Sequence, residues 1–82
     1  MYRINDLQFQ DRYYAEGATF KNLKEVCDTF IEYHSADCDV SVERELFDKG
    51  DYKQCWRNIS EFYDWGLEEK KEGDKEWKMI TV

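Results

Sequence analysis

Eighty-two residues carrying twelve Lys or Arg against nineteen Asp or Glu give a net charge of −7. A chain of this length makes one domain, residues 1–82. Its negative field disfavours direct contact with nucleic acid or anionic membrane and favours basic partners, and no apolar run approaches the roughly 20 residues of a membrane span.

A domain this small removes only about 60–65% of its unfolded surface from water, so aromatic side chains must supply much of the core. Three Trp, six Tyr and five Phe are present, which sets the chain apart from disordered sequences of similar polarity. The opening stretch "MYRINDLQFQ" lacks the apolar segment of a signal peptide. A cytoplasmic protein with reduced thiols is therefore expected. The three cysteines, Cys27, Cys38 and Cys55, do not resemble a disulfide framework.

In chain order, "YRINDLQFQ" reads as two short extended runs around the turn-prone pair Asn5 and Asp6. Leu7 and Phe9 alternate with Gln8 and Gln10, the period of a half-buried strand. "DRYYAEGATF" reads as strand, tight turn at Gly17, and strand again.

The next segment carries the clearest helix. Asn22 is a good N-cap and Glu25 stands at the capping-box position. Leu23, Val26, Cys27, Phe30, Ile31 and His34 share one face. "DCDVSVERELFDKG" alternates like a strand at first, but a short helix capped by Ser41 and stopped by Gly50 fits it better. A further helix starts at Asp51, with Gln54 at the box position, and its apolar stripe runs through Tyr52, Cys55, Trp56, Ile59, Phe62 and Tyr63 in i, i+3, i+4 order. Gly66 fits its C′ position. Gly73-Asp74 turns a hairpin whose return strand puts Trp77 and Met79 on one face and Ile80 on the other, while Leu67 to Glu72 suits either strand or helix. The expected fold is α+β: a small antiparallel sheet packed against two main amphipathic helices.

Cys27, His34, Cys38 and Cys55 have zinc-ligand chemistry, but their spacing argues against a metal site. Seven helical residues separate two side chains by about 10 Å along the axis, and no C-x-x-C pair exists. We expect no metal and no cofactor. A Cys–His catalytic pair lacks a Gly-rich oxyanion turn and the volume for a substrate cleft, so no enzymatic activity is expected.

The acids are the more informative signal. Asp37, Asp39, Glu43, Glu45, Asp48 and Asp51 fall in one fifteen-residue stretch, and Glu61, Asp64, Glu68, Glu69, Glu72, Asp74 and Glu76 follow. Rows of carboxylates can occupy a basic groove that otherwise holds nucleic acid. The alternative is a solvated face that keeps a small protein soluble. Trp65 falls off the stripe of its helix, and Tyr2, Tyr14 and Tyr33 have no obvious core position, so these aromatics suit interface anchors. The candidate partner-binding residues are Asp37, Asp39, Glu43, Glu45, Asp48, Tyr63 and Trp65.

The run "YYAEGATFKNLKEVCDTFIEYHSAD", followed by "FYDWGLEE", resembles a pattern in small acidic phage and prophage accessory proteins of Gram-positive bacteria. The likeness spans roughly a third to half of the chain, and its motifs are structural. It implies a phage accessory protein acting in the cytoplasm of an infected host. Some such proteins inhibit host defences, as anti-CRISPR and anti-restriction proteins do. The expected function is inhibition of a nucleic-acid-targeting defence nuclease by occupying its basic groove. The alternative is a non-inhibitory scaffold or regulatory module acting through exposed aromatics.

Overall fold

The computed structural model describes residues 1–9 and 12–82. Among them the chain forms strands β1 (Tyr2–Asp6) and β2 (Arg12–Tyr13), helices α1 (Leu23–His34), α2 (Ser41–Asp48) and α3 (Tyr52–Tyr63), then β3 (Trp65–Glu69) and β4 (Lys78–Ile80). The strands make one antiparallel sheet in the order β2-β1-β3-β4. The fold is α+β.

β1 and β3 pair in full register, with Ile4 opposite Leu67, and Leu67 in turn opposite Ile80 on β4. Alternation along a strand then gives the sheet two different faces. Ile4, Leu67 and Ile80 face the helices. Val26, Cys27, Phe30, Cys55, Trp56 and Ile59 are all buried against them in one core, joined by Phe20, Ile31 and Val40. The stripes of α1 and α3 thus find each other and the sheet.

The opposite face of the sheet is polar. Glu68, counted in sequence among a solvated acidic run, is only 7% exposed. Arg3 Nε lies 2.7 Å from its Oε1 and Asn5 Nδ2 donates to its Oε2 at 3.2 Å. The Arg3 guanidinium lies between two rings, 4.1 Å from the centre of Tyr13 and 4.5 Å from that of Trp77.

The helix termini follow the sequence in part. Asn22 Oδ1 accepts from the Glu25 N–H, but Glu25 returns its carboxylate to the Lys21 N–H. Asp51 caps α3 through the Gln54 N–H. At α2 the expected cap, Ser41, is itself the first helical residue, and Asp39 Oδ1 accepts its N–H at 3.0 Å. At the end of α3 the left-handed residue is Asp64 (φ 57°), not Gly66. Gly66 lies within β3, where a Cβ would sit 2.7 Å from Met79 Sδ. Its role is close packing under Met79. Trp65 consequently belongs to a strand and not to α3, and Leu67 continues that strand through Glu69.

The N-terminal expectations need further correction. Asn5 and Asp6 lie inside β1, while Leu7 and Phe9 follow it in a turn with exposed side chains. Gln10 and Asp11, expected to be extended, lie outside the described residues. After β2 the chain does not make a hairpin. Tyr14–Gly17 forms a short turn in which Ala15 (φ 53°), Glu16 (φ 58°) and Gly17 (φ 84°) are successively left-handed. Phe20 then makes a single bridge to Tyr2.

Candidate functional site

The acidic stretch surrounds α2, and the helix divides it. Asp37, Asp39, Glu45, Asp48 and Asp51 are exposed and Glu43 is half-buried. Asp39, Glu45 and Asp48 line one shallow hollow of about 630 Å³, shared with Arg44 and Lys49. Lys49 Nζ lies 3.1 Å from Glu45 Oε1, so part of the negative charge there is already answered. An exposed pair of this kind contributes little stability. Asp37 lines neither this hollow nor the next.

The other side of α2 is different. Asp39, Glu43 and Glu61 line a hollow of about 340 Å³ with Val42, Phe62, Ser41 and Asn58, and no Lys or Arg lines it. Val42 is 54% exposed and Phe62 is 80% exposed. The cause is helix length. α2 has eight residues and α3 has twelve, and a connection of three residues makes them neighbours. At 1.5 Å per residue α3 outruns α2 by about 6 Å. Cys55, near the start of α3, reaches the Glu43 carbonyl with its Sγ at 3.5 Å. Phe62, two turns further on, projects beyond the helix that would have covered it.

This changes the sequence reading of three residues. Phe62 was expected inside and stands outside. Tyr63 and Trp65, expected as exposed anchors, are half-buried against the core. Their rings stack at 4.6 Å, and both meet Phe30 edge-on. The Tyr63 hydroxyl lies 3.4 Å from Cys38 Sγ, and that contact, with burial, pushes its pKa up to about 12. Tyr2 and Tyr14 are also half-buried against the core, while Tyr33 is exposed.

His34 closes this aromatic layer. Its ring stacks on Phe30 at 4.5 Å and on Tyr14 at 5.8 Å, and Nε2 lies 3.1 Å from the Tyr14 hydroxyl. Burial pushes the Tyr14 phenol up to about 12, so it stays neutral beside the imidazole. Cys27 and Cys55 are fully buried, and the Cys27 Sγ donates to the Tyr52 carbonyl. The neighbouring Cys55 thiol, with burial, pushes the Cys27 thiol up, which keeps it a poor nucleophile. Among the described residues, no three His, Cys, Asp or Glu side chains gather as a metal-ion site. No helix among them is long and apolar enough to cross a membrane.

Of the residues singled out from sequence, Asp39 and Glu43 share the α2–α3 hollow, Asp39 also joins Glu45 and Asp48 on the other side, and Tyr63 and Trp65 lie within the aromatic layer. Phe62, Val42 and Glu61 were missed as site residues. The available signal was the position of Phe62 at the margin of the α3 stripe, in its last turn. No protein-family model, curated protein or solved structure matches the chain.

Proposed function

We propose that the chain is a protein-binding module whose α2–α3 hollow docks on a basic, nucleic-acid-binding surface of a partner. The observation that carries this reading is Phe62, 80% exposed in a hollow bounded by Asp39, Glu43 and Glu61 without a compensating base. Carboxylates steer the encounter and oppose Lys or Arg. Phe62 supplies the apolar anchor that charge alone lacks, and burying a Phe side chain is worth about 1.5–3 kcal/mol. The sequence resemblance to phage accessory proteins supports a more particular reading, in which the partner is a host defence nuclease and docking blocks its nucleic-acid groove.

The test is a titration against restriction and RNA-guided nucleases of Gram-positive hosts, with and without competing duplex DNA. Affinity should fall with added salt, fall with competing DNA, and drop about tenfold or more for Phe62→Ala, as a central interface anchor requires. Binding that ignores all three would sink the groove-occupying reading. Binding lost with Phe62→Ala but indifferent to salt and DNA favours the regulatory or scaffold module, acting through the same aromatic.

A further inference from the structure

A third hollow, lined by Tyr14, Ala15, Glu16, Tyr33 and His34, lies apart from the α2–α3 face and shares none of its lining residues. Its volume is about 440 Å³. Two of its five side chains, Tyr14 and Tyr33, offer phenol rings, His34 offers an imidazole, and Glu16 offers a carboxylate. No base lines it. Aromatic faces attract cations through their quadrupole, and a carboxylate at the rim supplies the counter-charge and hydrogen-bond acceptors.

The walls are held before any ligand arrives. Tyr14 packs against Trp65 with ring centres 4.9 Å apart and against His34, whose ring is itself stacked on Phe30. Tyr33 is 66% exposed, so its face is available. Ala15 and Glu16 both hold left-handed backbone, at φ 53° and 58°. Residues other than Gly rarely adopt it, and two in succession at the rim of a cavity mark a conformation that local preference does not favour.

The molecule already contains the same chemistry in completed form. Arg3 lies between Tyr13 and Trp77, at 4.1 and 4.5 Å from the ring centres, with the Glu68 carboxylate 2.7 Å from its Nε. At the third hollow the rings and the acid are present and the guanidinium is not. We propose that this hollow binds the guanidinium of an arginine side chain presented by a partner protein. Arginine fits better than lysine, because its planar, weakly hydrated group stacks on rings and forks onto a carboxylate.

The probe is N-acetyl-arginine methylamide, titrated into the intact protein and followed by NMR at Tyr14, Tyr33 and His34. The lysine analogue and the uncharged citrulline analogue run alongside. Saturable shifts at those three residues are expected with arginine, smaller ones with lysine and none with citrulline. Tyr33→Ala should weaken binding about fivefold, the worth of an exposed cation–π contact, and Glu16→Gln about threefold or more for a charge-assisted contact. Both side chains are exposed, so both variants should fold. The double variant Glu45→Gln, Asp48→Asn should leave binding unchanged, which separates this site from general attraction to an acidic protein. Equal shifts with citrulline, stronger binding of lysine, shifts confined to residues 37–51, or no saturable shift at Tyr14, Tyr33 and His34 would each overturn the assignment. None of these outcomes depends on whether the α2–α3 hollow binds a nuclease.

Discussion

The Glu68 carboxylate meets the Arg3 guanidinium at 2.7 Å although 65 positions separate them in the chain. The pair ties β1 to β3 on the face of the sheet that no helix covers. Arg3→Met leaves Glu68 charged and largely buried, an arrangement that costs several kcal/mol in full burial. The Arg3 side chain retains 22% exposure, so a loss of about 2–3 kcal/mol in urea denaturation is expected. The double variant Arg3→Met, Glu68→Leu should recover part of it. Asn5, which donates to Glu68, prevents full recovery. A single variant as stable as the parent would show that the pair is solvated in solution.

This pair also shows where sequence patterning stops being informative. The helices α1 and α3 were legible because each has a side-chain cap and a stripe. Glu68 was not, because a charged run gives no sign that one acid will find a distant arginine. Trp65 was misassigned because Gly66 looked like the helix stop, whereas Asp64 tolerates the left-handed position. The acids of the candidate site were legible as exposed charge. Their division between two sides of α2, and the exposure of Phe62, follow from the relative lengths of α2 and α3, which local pattern does not weigh against each other.

Phe62 and Trp56 lie on the same helix and should behave in opposite ways. Trp56 is 3% exposed and Phe62 80%. Trp56→Ala should cost about 3–5 kcal/mol by leaving a cavity. Phe62→Ala should change stability by less than about 0.5 kcal/mol, as surface substitutions do. Chemical denaturation of both variants checks the pair of values. A large loss for Phe62→Ala would place its ring in the core.

Left-handed backbone at Ala15 and Asp64 should be a reservoir of strain that glycine relieves. The left-handed conformation costs a residue with a Cβ about 1–2 kcal/mol, and glycine returns roughly half of that gain through greater freedom in the unfolded chain. Ala15→Gly should stabilise by about 0.5–1 kcal/mol, and Asp64→Gly by less, because Asp tolerates the left-handed conformation better than Ala. Urea midpoints that do not rise would mean that native contacts of Ala15 or Asp64 offset the strain.

Alkaline titration should reveal the aromatic layer. Tyr14 and Tyr63 are both pushed up to about 12, the first by burial and the second chiefly by its contact with Cys38. Tyr2 is also raised, through burial and its neighbour Glu69. A tyrosine whose folded pKa exceeds its unfolded value of about 10 stays protonated in the folded state while the unfolded state has lost its proton. Stability from these groups is therefore complete below pH 10 and is lost as pH rises from about 10 to about 12. Near-ultraviolet absorbance should show these three phenols ionising above the ordinary phenol range, together with a fall in melting temperature. Ionisation of Tyr14 and Tyr63 near about pH 10, with no loss of stability, would contradict their packing.

The acids around α2 differ in what they do for the fold, and neutralising them should separate the two roles. Asp39 holds the Ser41 N–H, and its hydrogen bonds with Ser41 keep its carboxyl below the usual range. Asp51 holds the Gln54 N–H. Asp51 is the N-cap of α3, and Asp39, one residue before the N-cap of α2, accepts that helix's first N–H, so Asp39→Ala and Asp51→Ala should lower the melting temperature, whereas Asn at either position retains an accepting oxygen and should lower it less. A carboxyl with a depressed folded pKa stabilises above its unfolded pKa, so the Asp39 contribution should vanish as pH falls through the acidic range. Glu61 and Asp48 make no such cap, and relief of like-charge repulsion should leave Glu61→Gln and Asp48→Asn as stable as the parent or slightly more so. Partner binding should sort them differently. Glu61→Gln and Glu43→Gln, in the hollow with Phe62, should weaken binding and flatten its salt dependence, while Asp48→Asn, on the side shared with Arg44 and Lys49, should do neither. Equal loss of binding from Asp48→Asn and Glu61→Gln would mean that the partner reads total charge and not the α2–α3 face.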